Sequence, residues 1–135
     1  VDVERYRLYP TGYSRYDAAR GYIAGLSQTS LLVANYCEVE TKADVITAWF
    51  PFVTPSPVLA WRLPLTVFSP ERLFDRIARN LTSQGLFFMV NQGSDEAAIA
   101  ADYGRRAGLR LVDRWVHPRP LRTRPHPPVV TWWTT

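Results

Sequence analysis

The chain has 135 residues, 47% of them hydrophobic, and a net charge of +4. That content suffices for one compact core and excludes intrinsic disorder or a collagen-like repeat. Every apolar run is broken by Asp, Pro or Gly well short of the ~18 residues that cross a bilayer, so no membrane partner is expected. The charge is unevenly placed. After residue 104, seven arginines (105, 106, 110, 114, 119, 122 and 124) face Asp113 alone, giving +6 there and −2 in the first 104 residues. Such asymmetry suits a polyanion, so nucleic acid is a possible partner; a solvated arginine-rich surface explains it equally, since Lys42 is the only lysine. Cys37 is the single cysteine. It rules out an internal disulfide, fits a reducing cytoplasm, and reads as a small buried hydrophobe.

In chain order, Val1-Asp2-Val3 reads as the end of a buried strand, and the missing initiator methionine as a sign of processing, trimming or a partial record. Tyr6, Tyr9, Tyr13 and Tyr16 recur at near-helical spacing, but Pro10 and Gly12 interrupt them. A helix is predicted over 14–24, capped by Ser14, with Tyr16, Ala19, Tyr22 and Ile23 on its apolar face. Arginines 5, 7, 15 and 20 interleave with the tyrosines, a pattern that serves amphipathic packing or stacking on single-stranded nucleic acid. Leu31–Ala34 reads as a short buried strand leading into Asn35 and Tyr36, and residues 44–50 as the next strand. Prolines 55, 57 and 64 then call for a shaped loop or short helix.

Ser69-Pro70-Glu71 opens a helix whose core face is Leu73, Phe74, Ile77, Ala78 and Leu81, with Gly85 closing it in the left-handed position. Leu86–Val90 is apolar throughout and should be covered on both faces. Ser94, Asp95 and Glu96 begin a second helix with Ile99, Tyr103 and Ala107 inward and Gly108 at its end. Leu109–Val116 and Val129–Trp133 are the last strands, joined as a long antiparallel hairpin through a loop with five prolines. Strands alternating with helices imply crossover units and a mostly parallel sheet. Ligands bind at the carboxyl ends of such strands, which directs attention to Trp49-Phe50-Pro51-Phe52 and Asn91-Gln92-Gly93.

The usual chemical motifs are missing from the sequence: no glycine-rich phosphate loop, no Gly-x-Ser-x-Gly elbow, no His-Glu-x-x-His and no metal-spaced Cys or His. No metal site is expected. His117 and His126 lie among prolines and are expected on the surface, away from the strand ends.

The succession of elements resembles the later two-thirds of a class I S-adenosylmethionine-dependent methyltransferase. Asp44–Phe50 is similar to that family's fourth strand, Pro70–Leu81 to its helix, Leu86–Val90 to the fifth strand and 95–107 to the next helix. Leu109–Val116 and Val129–Trp133 resemble the closing hairpin, in which the seventh strand inserts antiparallel. The phrase Arg79-Asn80-Leu81-Thr82-Ser83-Gln84-Gly85-Leu86 is similar to the family's passage from helix to fifth strand. The resemblance implies a single, partial α/β domain over 1–135: a mostly parallel Rossmann-like sheet with helices on both faces, truncated at its amino-terminal side.

The resemblance also implies S-adenosyl-L-methionine as cofactor of the full-length protein. Asp2 matches the acidic residue that accepts hydrogen bonds from the ribose hydroxyls, with Glu4 as a second candidate. Asn35 matches the side chain facing the adenine, and Tyr36 could pack on the ring. Trp49, Phe50, Pro51 and Phe52 match the substrate side, although only Pro51-Phe52 fits the pattern of amine methyltransferases. No catalytic residue and no methyl acceptor follow from the match. The family's first strand and glycine-rich loop would precede Val1, so these 135 residues are expected to be inactive alone. Their exposed strand edges are expected to recruit a second copy. The alternative is a non-catalytic binding or assembly module whose arginine-rich hairpin 114–126 contacts an acidic partner or RNA, marked by salt-sensitive binding.

Overall fold

The computed structural model describes residues 5–117 and 126–135. The chain divides into two compact units, Val1–Val39 and Glu40–Thr135. No helix among the described residues is long and apolar enough to cross a membrane.

In the first unit, Pro10 and Gly12 do interrupt the tyrosine stripe. Gly12 takes φ +83°, and the chain turns back so that Tyr9 N–H donates to the Tyr13 carbonyl at 2.9 Å. Helix α1 spans Arg15–Ile23 behind a reciprocal cap. Ser14 Oγ accepts from Asp17 N–H at 3.1 Å, and Asp17 Oδ2 accepts from Ser14 N–H at 3.0 Å. The Ser14 hydroxyl and backbone together lower the Asp17 carboxyl pKa. The predicted apolar face does not become core: α1 buries no residue, and Tyr22 is 86% exposed. Tyr16 instead lies under two guanidinium groups, Arg5 at 5.0 Å and Arg20 at 5.8 Å from its ring centre. The strand expected at Leu31–Ala34 is reduced to an isolated bridge residue, Val33. A 3-10 turn, Tyr36–Glu38, follows it.

The second unit holds strands β1 (Ala43–Trp49), β2 (Leu81–Gln92), β3 (Arg110–Val116) and β4 (Pro128–Thr134). Helices α2 (Pro55–Ala60), α3 (Pro70–Asn80) and α4 (Gly93–Arg106) connect the first three. The sheet order is β1-β2-β4-β3, with β1 and β2 parallel and β4 antiparallel to both its neighbours. Three strands therefore run one way and the last inserts between the second and third.

Both long helices lie on one face. Phe74 of α3 meets Phe87 of β2 edge-on at 6.2 Å and stacks on Tyr103 of α4 at 5.9 Å. Ile46, Phe87, Met89, Val129 and Trp133 complete this core. The Trp133 indole N–H donates to Thr131 Oγ1 at 2.9 Å, so the ring is buried with its polar atom satisfied. Helix α4 turns Ala97, Ala100, Ala101 and Gly104 inward rather than the predicted face; Tyr103 stacks on Phe74, but Ile99 is 40% exposed. Small residues win here because the helix rides close to the sheet. A methyl on Gly104 would sit 3.2 Å from the Trp133 ring.

Gly85 is also not where the pattern put it. Helix α3 ends at Asn80, and β2 begins at once with Leu81. Gly85 sits inside β2 at a register shift, where Ala43 pairs with Leu81 but Val45 pairs with Leu86. A Cβ on Gly85 would come within 2.8 Å of the Leu81 side chain and 3.1 Å of the Asp44 carbonyl, which explains the glycine. Polar contacts fix this corner: Thr41 N–H donates to the buried Asn80 amide oxygen at 3.4 Å, and Thr82 Oγ1 to Asp44 at 2.8 Å.

Candidate functional site

Because β1 and β2 are parallel, their carboxyl ends finish side by side, Trp49 opposite Val90. Phe50 leaves β1 with φ +54°, a left-handed turn that a bulky residue adopts only when its surroundings hold it there. Its N–H donates to the Val90 carbonyl at 2.8 Å, tying the turn to β2. After Pro51, Phe52 meets Trp61 edge-on at 5.8 Å, at the carboxyl end of α2, and Val53 and Val58 are buried beside the same stretch of chain. The predicted substrate-side residues Trp49, Phe50, Pro51 and Phe52 thus run from the last residue of β1 into the turn that follows it.

Three further positions lie at or just after the end of β2. Asn91 is completely buried on the helix-covered face, opposite Val129, and neither of its side-chain polar atoms has a hydrogen-bond partner. An unpaired buried amide costs roughly 1–3 kcal/mol, which makes it the least explained polar group of the unit. Next, Gly93 takes φ +82°, and a Cβ there would strike His126 Cβ at 2.9 Å. Its N–H donates to the Pro127 carbonyl at 3.2 Å. Glu96, in the first turn of α4, accepts from the Gln92 N–H. Burial pushes its carboxyl pKa up, and the Gln92 hydrogen bond opposes that shift.

His126 is a correction to the sequence reading. It was expected away from the strand ends, but the antiparallel insertion of β4 sets its amino end beside the carboxyl end of β2, with Pro128 opposite Gln92. His117 is at the same end of the sheet, following β3, with its ring 4.9 Å from that of Trp115 and its N–H donating to the Pro128 carbonyl at 2.9 Å. Asn91 and Gly93 were within reach of sequence reasoning as residues after an apolar strand. Their link to His126 was not.

Of the cofactor-side candidates, Asn35 and Tyr36 are among the described residues. Asp2 and Glu4 lie outside the described residues, as does most of the arginine-rich hairpin 114–126, namely 118–125. Asn35 and Tyr36 belong to the first unit. Asn35 caps the 3-10 turn, its side-chain oxygen accepting from Cys37 N–H at 3.1 Å, and Cys37 is buried as expected. Among the described residues no group of three or more His, Cys, Asp or Glu could hold a metal ion.

No protein-family model matches the chain, and no curated protein is significantly similar to it. Solved structures are. A SAM-dependent methyltransferase of Clostridium acetobutylicum superposes with a TM-score of 0.61 at 8% identity, over 88% of this chain and 70% of that one. One from Leishmania major gives 0.60 at 14% identity, over 85% and 48%. A TehB-like SAM-dependent methyltransferase from Corynebacterium glutamicum gives 0.51 at 16%, over 76% and 54%. The chain has the class I methyltransferase-like fold. It spans about half the length of the latter two structures.

The side-chain oxygen of Asn35 is already committed to a backbone N–H. The sequence offers no glycine-rich loop for the amino-acid end of the cofactor.

Proposed function

We propose that these residues are the carboxyl-terminal part of an S-adenosylmethionine-dependent methyltransferase, with the carboxyl ends of β1 and β2 as its acceptor side. The observation that carries this reading is the strand order β1-β2-β4-β3 with β4 antiparallel, together with its superposition on methyltransferases. In methyl transfer the protein mainly sets the acceptor in line with the methyl group, so a rigid apolar wall is useful without a base in it. The loop Trp49–Phe52 has that character, its backbone set by the left-handed Phe50 and by Pro51. The carboxyl of Glu96 and the ring of His126 stand at the same end of the sheet as the polar groups available to orient an acceptor.

Cofactor binding is proposed to need residues beyond these 135. Titration calorimetry of S-adenosylmethionine into the chain is therefore expected to show no micromolar binding. A dissociation constant in the micromolar range would overturn the part-protein reading. Upstream coding sequence that specifies a strand ending in an acidic–x–Gly–x–Gly pattern just before Val1 would support it.

A further inference from the structure

Among the described residues, left-handed backbone falls on glycine at 12, 25, 93 and 108, and on two bulky residues, Phe50 and Arg62. Those two bracket the segment that follows β1 at the candidate site. Phe50 turns the chain out of the strand, and Arg62, at φ +56°, follows the end of α2. The bonds around Arg62 fix its place there. Its N–H donates to the Leu59 carbonyl at 2.9 Å, and the Leu63 N–H to the Val58 carbonyl at 3.0 Å. This pair of bonds is the Schellman ending, and Arg62 holds the position in it that glycine fills without strain. Attraction to the carboxyl end of the helix does not account for an arginine there, because a cation in the last turn gains it with ordinary helical backbone. Side chains held in left-handed backbone gather at ligand sites, where their surroundings impose the conformation.

The surroundings of Arg62 select the ligand. The Phe52–Trp61 contact brings the end of α2 back to the turn leaving β1, so the arginine follows directly on one ring of that aromatic pair. Between Asp44 and Glu71 it is the only ionised side chain. No carboxylate among the described residues pairs with it. The segment thus combines aromatic faces with one planar cation, whose paired N–H groups match a carboxylate. We propose, resting on the methyltransferase reading for the acceptor side itself, that Arg62 is a specificity-determining residue that takes the carboxylate of an aromatic acceptor. The ring of such an acid packs on Phe52 and Trp61 while its charge meets the guanidinium. A cationic amine of the same shape is repelled.

Benzoate and benzylamine, one ring with opposite charges, test this on the chain itself through the indole and arginine Nε signals of proton–nitrogen correlation spectra. Benzoate is expected to bind saturably, to move the Trp61 indole and Arg62 Nε signals, and to bind about tenfold or more tighter than benzylamine. Arg62→Gln should weaken benzoate by about tenfold. Arg62→Gly should weaken it equally and raise the melting temperature by a few degrees, since glycine relieves the left-handed turn. Arg105→Gln, in the last turn of α4, should leave benzoate binding as it is. Benzoate that does not bind saturably overturns the proposal, as does benzylamine that binds as tightly. So does an Arg62→Gln chain that holds benzoate as the parent does, an Arg62→Gly chain with no gain in stability, or a loss on Arg105→Gln equal to that on Arg62→Gln. The methyltransferase reading fails on a separate measurement, the calorimetry of S-adenosylmethionine, so the two failures are told apart.

Discussion

The two faces of the sheet are built from similar residues and treated in opposite ways. On one, Phe87, Met89, Thr131 and Trp133 vanish beneath α3 and α4. On the other, Trp49, Val45 and Trp115 stand open in the same strands. Composition alone thus decides neither burial nor role; the crossover helices decide it, because both right-handed connections land on one side. What distinguishes the covered face is its fit: small residues on α4, a satisfied indole, and one polar side chain left unsatisfied at its end.

The contrast can be broken most strongly through Phe74. It contacts Phe87 and Tyr103 and is fully buried, so Phe74→Ala should cost about 3–5 kcal/mol in urea unfolding, enough to unfold much of a marginal domain. Val45→Ala on the open face should change stability by no more than about 0.5 kcal/mol at a concentration where the chain is monomeric. Equal losses would mean that the open face is covered within a single chain.

A smaller effect of opposite sign is expected at Asn91. Replacing its unpaired amide by the apolar Asn91→Leu should raise stability by about 1–2 kcal/mol, read as a higher melting temperature. A loss instead would show that the amide has a partner in solution.

The smallest expected effect is at Glu96. Its folded pKa lies above the ordinary 4.5, so its contribution to stability is complete below that value and fades as pH rises through the folded pKa. Melting temperature should therefore drift down from just below pH 4.5 upward, and Glu96→Gln should flatten the drift. A pH profile unchanged by that substitution would remove Glu96 from the account.

Much of this architecture is legible in the residues themselves. Pro70 and Gly108 mark helix ends because each carries a backbone constraint that acts locally. The order of elements was readable for the same reason. Three features were not. Thr82-Ser83-Gln84-Gly85 has the composition of a turn, but it stays extended because Leu81 pairs with Ala43 and draws the segment into β2. The inward face of α4 is made of alanine and glycine, which a search for large apolar side chains passes over. Likewise, the meeting of Gly93 with His126, 33 residues apart in the numbering, depends on β4 inserting beside β2, which no local signal encodes. At the candidate site the aromatic loop was legible and the neighbours of Asn91 were not.

Gly104 and Gly93 also have a joint consequence. One sits under helix α4 toward its end, against Trp133, and the other opens the helix, against His126. The helix therefore has two glycine contacts about 16 Å apart, at 1.5 Å per residue, one on the sheet and one on the residue leading toward β4. A methyl group added at Gly104 would press on the Trp133 ring, and ring or helix would have to give by a few tenths of an ångström. That strain falls first on the Trp133 core and on the α4 turn that carries Gly104, so the sheet-facing side of the helix has no room for even one added methyl group there.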